Sequence, residues 1–271
     1  MVYDIVVFSG QSNMQGQSDA LSEDKEVESA LEYKALTDEL VPLKNPVGED
    51  IRYDWTEGYR YYDNIDAAKW LAENALGSAC YGHTNLVPEF CRAYVKQTCR
   101  GVVAVHAAKG STEIEYWMKG SDGYAFVLKK AKLAIEALKK KDGAEPGDIY
   151  FTWLQGESDA IFSKTEADYY KKLVTLCNDL RDDLGVKRFG IIEVGRFTKD
   201  ARDDEIINAQ KAAAFNLPDK FLMLTESART MENEPGMMHP CIGGHFSALG
   251  LERLGREAGT ELGKFAAAQK L

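Results

Sequence analysis

Apolar residues along the chain fall into short unbroken runs, separated by longer stretches in which they recur every three or four positions. The runs Ile5-Val6-Val7-Phe8, Val102-Val103-Ala104-Val105, Ile149-Tyr150-Phe151, Phe189 to Val194 and Phe221 to Leu224 read as buried strands. The spacing predicts helices from about Pro88, with Phe90, Tyr94 and Val95 inward, over Tyr124–Lys140, over Tyr169–Leu184, over Glu205–Phe215 and from Ser247 onward. In the second of these, Phe126, Val127, Ala131 and Leu138 sit among lysines, which gives the helix one wet face. Parallel strands need crossovers of roughly a dozen residues or more, so this alternation predicts helices on both faces of a sheet. The expected class is α/β, a three-layer α/β/α sandwich with a central parallel sheet of about five strands. Between the first strand and Pro88 the pattern is weaker. An acidic stretch (Glu23, Asp24, Glu26, Glu28) leads to a loop-like region with Pro42, Pro46 and Gly48, then to the aromatic cluster Tyr53, Trp55, Tyr59, Tyr61 and Tyr62.

The chain has 271 residues, a length that α/β folds reach as one unit, so a single domain over 1–271 is expected. With 45% hydrophobic residues it can bury a substantial core. A net charge of -10 and a pI near 5.1 argue against nucleic acid and anionic membrane surfaces as partners, since Lys and Arg must supply the attraction to phosphate. Cys80, Cys91, Cys99, Cys177 and Cys241 are odd in number and form no CxxC pair, so they read as free thiols. No apolar run approaches the roughly 20 residues needed to span a bilayer. Met1 leads directly into strand-forming sequence without a basic leader. Together these features predict a cytoplasmic protein; a secreted one is the alternative if a signal peptide has been trimmed.

Candidate chemistry lies where apolar runs end. The first strand runs into Gly10-Gln11-Ser12-Asn13-Met14, where Gly10 permits a sharp turn and Ser12 is displayed at the carboxyl edge of the sheet. That is a nucleophile's position, although serine also caps segments that follow strands. Gln155-Gly156-Glu157-Ser158-Asp159 closes another strand, and His245-Phe246-Ser247-Ala248 opens the last helix. A serine hydroxyl attacks well only when a base takes its proton, and the available imidazoles are His83, His106, His239 and His245. No GxGxxG or GxxxxGK loop is present, which disfavours a nucleotide binder.

Those three segments, in that order and spanning nearly the whole chain, resemble the SGNH (GDSL-like) hydrolases, in the branch of sialate O-acetylesterase-like proteins and carbohydrate esterase family six. Lys109-Gly110-Ser111-Thr112 with Trp117 behind is a fourth, weaker match. The resemblance implies the flavodoxin-like SGNH fold and removal of acetyl groups from carbohydrate hydroxyls, with no cofactor and no metal. The implied partner is a small-molecule or oligosaccharide acetyl ester. Ser12 becomes the nucleophile and His245 its base, with His239 as competitor. Family members often carry Asp three residues before the histidine; here Ile242 stands there. Glu157 is the expected substitute to orient the imidazole, a Ser-His dyad being the alternative.

The expected oxyanion donors are the Ser12 N–H, the Gly110 backbone and the Gln155 amide, with Gly82 a rival for the glycine role. Gln11, Trp117 and Trp55 are the expected substrate contacts, Trp55 as part of an aromatic platform for sugar rings. Two other functions remain open from the residues: a non-catalytic carbohydrate-binding relative, favoured by Ile242, and a short-chain lipase or thioesterase on the same fold.

Overall fold

The computed structural model describes residues 1–18, 25–35, 37–48, 84–240 and 242–269. Its strands are β1 (Val2–Gly10), β2 (Ala30–Lys34), β3 (Glu39–Pro42), β4 (Gly101–Ala108), β5 (Glu145–Leu154), β6 (Arg188–Ile192) and β7 (Phe221–Thr225). They form one sheet in the order β3-β2-β4-β1-β5-β6-β7, parallel except for β3, which runs antiparallel to β2. The five strands expected from the apolar runs are all present. The sheet is larger than expected because β2 and β3 extend it at one edge. Both are short and interleaved with charge (Glu32, Lys34, Glu39), and β3 ends on Pro42, the composition that protects an edge from pairing with another chain.

The helices are α1 (Ser12–Gln15), α2 (Val87–Thr98), α3 (Asp122–Lys139), α4 (Glu157–Ile161), α5 (Glu166–Leu184), α6 (Ala201–Asn216) and α7 (Ala248–Ala268). Alternate residues of β1 face opposite layers, as the two-residue period of a strand requires. Ile5 and Val7 join α3, α5 and α6 in one core, while Val6 and Phe8 join α2 and α7 in the other. Side-chain caps begin the longer helices: Ser121 for α3, Thr165 for α5, Asp200 for α6 and Ser247 for α7. Helix α7 packs on α2 at backbone distance, because Gly255 and Gly259 repeat every fourth residue along its inner face. A Cβ on either would lie 2.1 Å from a carbonyl oxygen of α2 or its cap, Leu86 and Phe90 respectively.

The chain leaves β1 toward β4 on one side and later adds β5 on the other, so the carboxyl end of β1 is a topological switch point. Ligands of open α/β sheets bind there. No helix among the described residues is long and apolar enough to cross a membrane. The described cysteines Cys91, Cys99 and Cys177 are free thiols; Cys80 and Cys241 lie outside the described residues.

Candidate active site

Strand β1 ends in Gly10, whose φ of 147° and closeness to β5 both demand glycine: a Cβ there would meet the Leu154 carbonyl oxygen at 2.0 Å. The backbone then turns into α1, and Gln11 N–H donates to that same Leu154 oxygen at 3.1 Å. Amide side chains on either side of Ser12 hold this one-turn helix. The Gln11 Oε1 accepts the Ser158 N–H at 3.2 Å, and the Gln15 Oε1 accepts the Gly110 N–H at 2.8 Å. From behind, the Asn85 amide donates to the carbonyls of Met14 and Gln15, each at 2.9 Å.

His245 arrives on the turn that precedes α7. His245 Nε2 lies 2.8 Å from Ser12 Oγ, and its Nδ1 lies 3.0 Å from the Gly243 carbonyl oxygen. A carbonyl only accepts, so Nδ1 carries the proton and Nε2 is the bare nitrogen that receives the serine O–H. Gly244, at φ 72°, lets the ring of Phe197 lie against the turn, and that ring meets the imidazole edge-on with centroids 5.9 Å apart. Phe197 is set in place by Asp203, which accepts the N–H groups of Phe197, Thr198 and Lys199. Burial pushes the His245 pKa down, since a desolvated imidazolium is costly, with the Gly243 carbonyl working weakly the other way.

The expected contact between Glu157 and His245 is not formed. Glu157 opens α4 beyond Asn13, and its Oε1 accepts the Asn13 amide at 2.8 Å. Asn13 also donates to the Gly244 carbonyl at 3.2 Å, and its Oδ1 accepts the Phe246 N–H at 3.2 Å. Desolvation raises the Glu157 carboxyl to about 7 against the opposing Asn13 bond.

Three other expectations are corrected by the packing. The Gln155 amide is fully buried and spent inward, on the Thr112 carbonyl at 2.8 Å and Asp159 at 2.5 Å, so it offers no donor to an oxyanion. Gln11 likewise turns to Ser158 and Gln155 rather than to a substrate. Trp117 is 1% exposed, packed edge-to-face on Trp153 with its indole N–H on Thr112 Oγ1, a core residue and not a wall of the site. Gly110 does lie by Ser12, its Cα side crowded by the Gln15 and Gln17 amides with Ser12 Cβ just beyond, but its N–H is held by Gln15. His239, the competing base, is tied into the turn: its Nδ1 accepts the Ile242 N–H at 3.0 Å and its own N–H donates to the His245 carbonyl at 2.8 Å. Trp55 and the surrounding aromatic cluster, with Gly82 and His83, lie outside the described residues.

Asn13, Gln15 and Phe197 were not singled out from the sequence. The first two belong to the Gly10–Met14 motif or its next turn, and their amide chemistry was the available signal. Phe197 follows β6 by five residues and carries no pattern of its own. Among the described residues, Glu113, Glu115 and Asp159 bring carboxylate oxygens within 4.8 Å of one another. The Lys164 ammonium sits among them, 3.0 Å from Glu113 and 2.9 Å from Asp159 and also paired with Glu115. This ion cluster fastens α4 to the segment after β4.

The parallel-centred α/β/α sandwich brings Ser12 and His245 together at the carboxyl edge of β1, an arrangement that resembles the SGNH hydrolases. The family model for carbohydrate esterase, sialic acid-specific acetylesterase, matches residues 2–261, and the chain belongs to that family of carboxylic ester hydrolases. Among solved structures, a protein from Arabidopsis thaliana aligns over 98% of both chains at 18% identity and a TM-score of 0.64. NanS aligns over 99% of this chain and 97% of its own at 13% identity and 0.63. A carbohydrate acetylesterase from Xanthomonas citri matches 99% of this chain but 57% of its own, at 14% identity and 0.53. At these identities the likeness is one of fold. No curated protein matches the chain significantly by sequence.

Proposed function

We propose that this chain is a serine O-acetylesterase of acetylated carbohydrate, working as one domain through a Ser12-His245 pair. The observation that carries the reading is the 2.8 Å contact between Ser12 Oγ and the unprotonated Nε2 of His245. Ser12 Oγ attacks the acetyl carbonyl carbon while Nε2 takes the hydroxyl proton. The tetrahedral intermediate collapses by breaking the bond to the sugar oxygen, which receives that proton as it leaves. Water then attacks the acetyl-serine, again giving a proton to Nε2, and acetate departs as the proton returns to Ser12. Carbonyl charge builds twice in this cycle, and a single well-placed donor is worth about 3 to 4 kcal/mol to such a transition state. The Ser12 N–H at the open first turn of α1 is the first donor. The Gly110 N–H beside it joins once the Gln15 amide oxygen yields its bond.

Family membership supports the acetyl and carbohydrate parts of this reading, and the acidic balance of the chain favours a neutral saccharide. The test compares p-nitrophenyl acetate, butyrate and octanoate, and then acetylated xylan against an O-acetylated sialic acid. Turnover that falls steeply beyond the shortest acyl chain and disappears in Ser12→Ala supports the reading. A rise in turnover with chain length would make the enzyme a lipase instead.

A further inference from the structure

The imidazole of His245 is oriented by a bond within its own turn, the 3.0 Å contact from Nδ1 to Gly243 O. That bond fixes the ring relative to residues 243–246, but it does nothing to hold the turn against Ser12, which lies 233 residues away in sequence on a different element. The other backbone bonds of the turn do not supply this restraint. His239 N–H to His245 O and Ser247 N–H to Met237 O join the turn to residues 237–239 and not to α1.

Asn13 supplies it. The side-chain amide straddles His245, donating to the carbonyl of Gly244 on one side and accepting the N–H of Phe246 on the other, each at 3.2 Å. Its second N–H goes to Glu157 Oε1 at 2.8 Å, so both donors and the acceptor are used at once. The residue is 2% exposed, and its α1 neighbour is the nucleophile itself. Glu157 is 1% exposed, and its Oε2 has no hydrogen-bond partner among the described residues. A carboxylate buried at that cost is explained if it serves as an anchor. Only a carboxamide meets all three demands: an aspartate lacks donors and a serine lacks reach.

Resting on the Ser12-His245 reading above, we propose that Asn13 is the positioning residue of the pair, an amide clamp braced on Glu157 that sets the base turn against the nucleophile turn. It takes over the alignment that an acid on Nδ1 would otherwise provide. Asn13 touches neither substrate nor a reacting atom, and it acts by keeping Nε2 within reach of Oγ.

The experiment measures p-nitrophenyl acetate hydrolysis by wild type, Ser12→Ala, Asn13→Ala, Asn13→Asp and the double variant Asn13→Ala/Glu157→Gln. Loss of alignment by about an ångström costs on the order of 100-fold, so Asn13→Ala should lose about that factor in kcat with KM within about 2-fold. The double variant should lose no more, because Glu157 acts through Asn13. Asn13→Asp places two carboxyls face to face, with Asp159 and Asp203 also raising the proton affinity of Glu157 and His239 lowering that of His245. A proton shared by that pair restores the missing donor. Its kcat relative to wild type should therefore climb as pH falls from 8 to 6, whereas a merely structural defect leaves the ratio flat. Hydrogen exchange at the Phe246 amide gives a readout without turnover, and its protection should drop in Asn13→Ala. Near-normal kcat in Asn13→Ala, a flat Asn13→Asp ratio or unchanged Phe246 protection overturns the proposal. Turnover surviving in Ser12→Ala overturns the nucleophile reading, and the Phe246 exchange then still judges the clamp by itself.

Discussion

His245 meets Ser12 through Nε2 at 2.8 Å and turns Nδ1 to the Gly243 carbonyl, so among the described residues the pair is aligned without a carboxylate on the imidazole. A carboxylate would stabilise the imidazolium and raise its pKa. Here burial, with His239 adding to it, drives the pKa in the opposite direction against the Gly243 carbonyl.

The first consequence is in the pH profile. In the proposed mechanism activity needs neutral His245, and a lowered pKa keeps the ring neutral to a lower pH. The acid limb of kcat/KM for an acetyl ester is expected to have its midpoint below about 6.5, the ordinary histidine value. A midpoint above that value means that an acid reaches the ring in solution.

Glu157 gives a second prediction, in stability. Its carboxyl titrates near 7 in the folded chain, above the usual glutamate range, so the folded state holds a proton that the unfolded state has already released. The sign follows: this contribution is complete at pH below the unfolded value and is lost as pH rises through about 7. Between pH 5 and 8 wild type should lose on the order of 2 kcal/mol that Glu157→Gln does not lose. Denaturant titrations of both proteins at the two pH values measure it, and parallel curves refute it.

Trp117 sits in the core on Trp153, so its substitution should register as lost packing. Trp117→Ala is expected to cost about 3 to 5 kcal/mol of stability. The gentler Trp117→Phe should lower Tm while leaving KM for acetylated oligosaccharide within about 2-fold. A large KM change with unaltered Tm would return the residue to the substrate site.

At the α2–α7 contact, Gly259→Ala drives a methyl group to 2.1 Å from the Phe90 carbonyl oxygen. The helices must part, at about 2 to 3 kcal/mol, or roughly 5 to 10 °C in Tm. The rate of Ser12 acylation in the folded protein at 25 °C should stay near that of wild type.

Much of this architecture is legible in the sequence because fully buried strands leave unbroken apolar runs. Strands β1, β4, β5, β6 and β7 all carry that mark, and Ser247 announces the start of α7 as its cap. Strands β2 and β3, the antiparallel pair that closes one side of the sheet, do not: each is short and interrupted by charge, as where Lys34 pairs with Glu32. Ser12 and His245 stand out as residue types at strand and helix edges. What periodicity cannot convey is the direction of a polar side chain. Glu157, Gln155 and Gln11 all lie at the carboxyl edge as expected, yet each points to an amide partner inside the network. The same chemistry that makes them catalytic candidates lets them hold α1 in place. Trp117 was misplaced for a related reason, because motif position gives its location along the chain but not the core that receives it.

The most direct test of the central claim is covalent. Wild-type protein is treated with a fluorophosphonate, and the adduct is located by mass spectrometry of the digested chain. The mechanism predicts one stoichiometric adduct on Ser12, absent in Ser12→Ala and slowed by several orders of magnitude in His245→Ala. An adduct on another residue, or labelling of Ser12 at an undiminished rate without the imidazole, would contradict it.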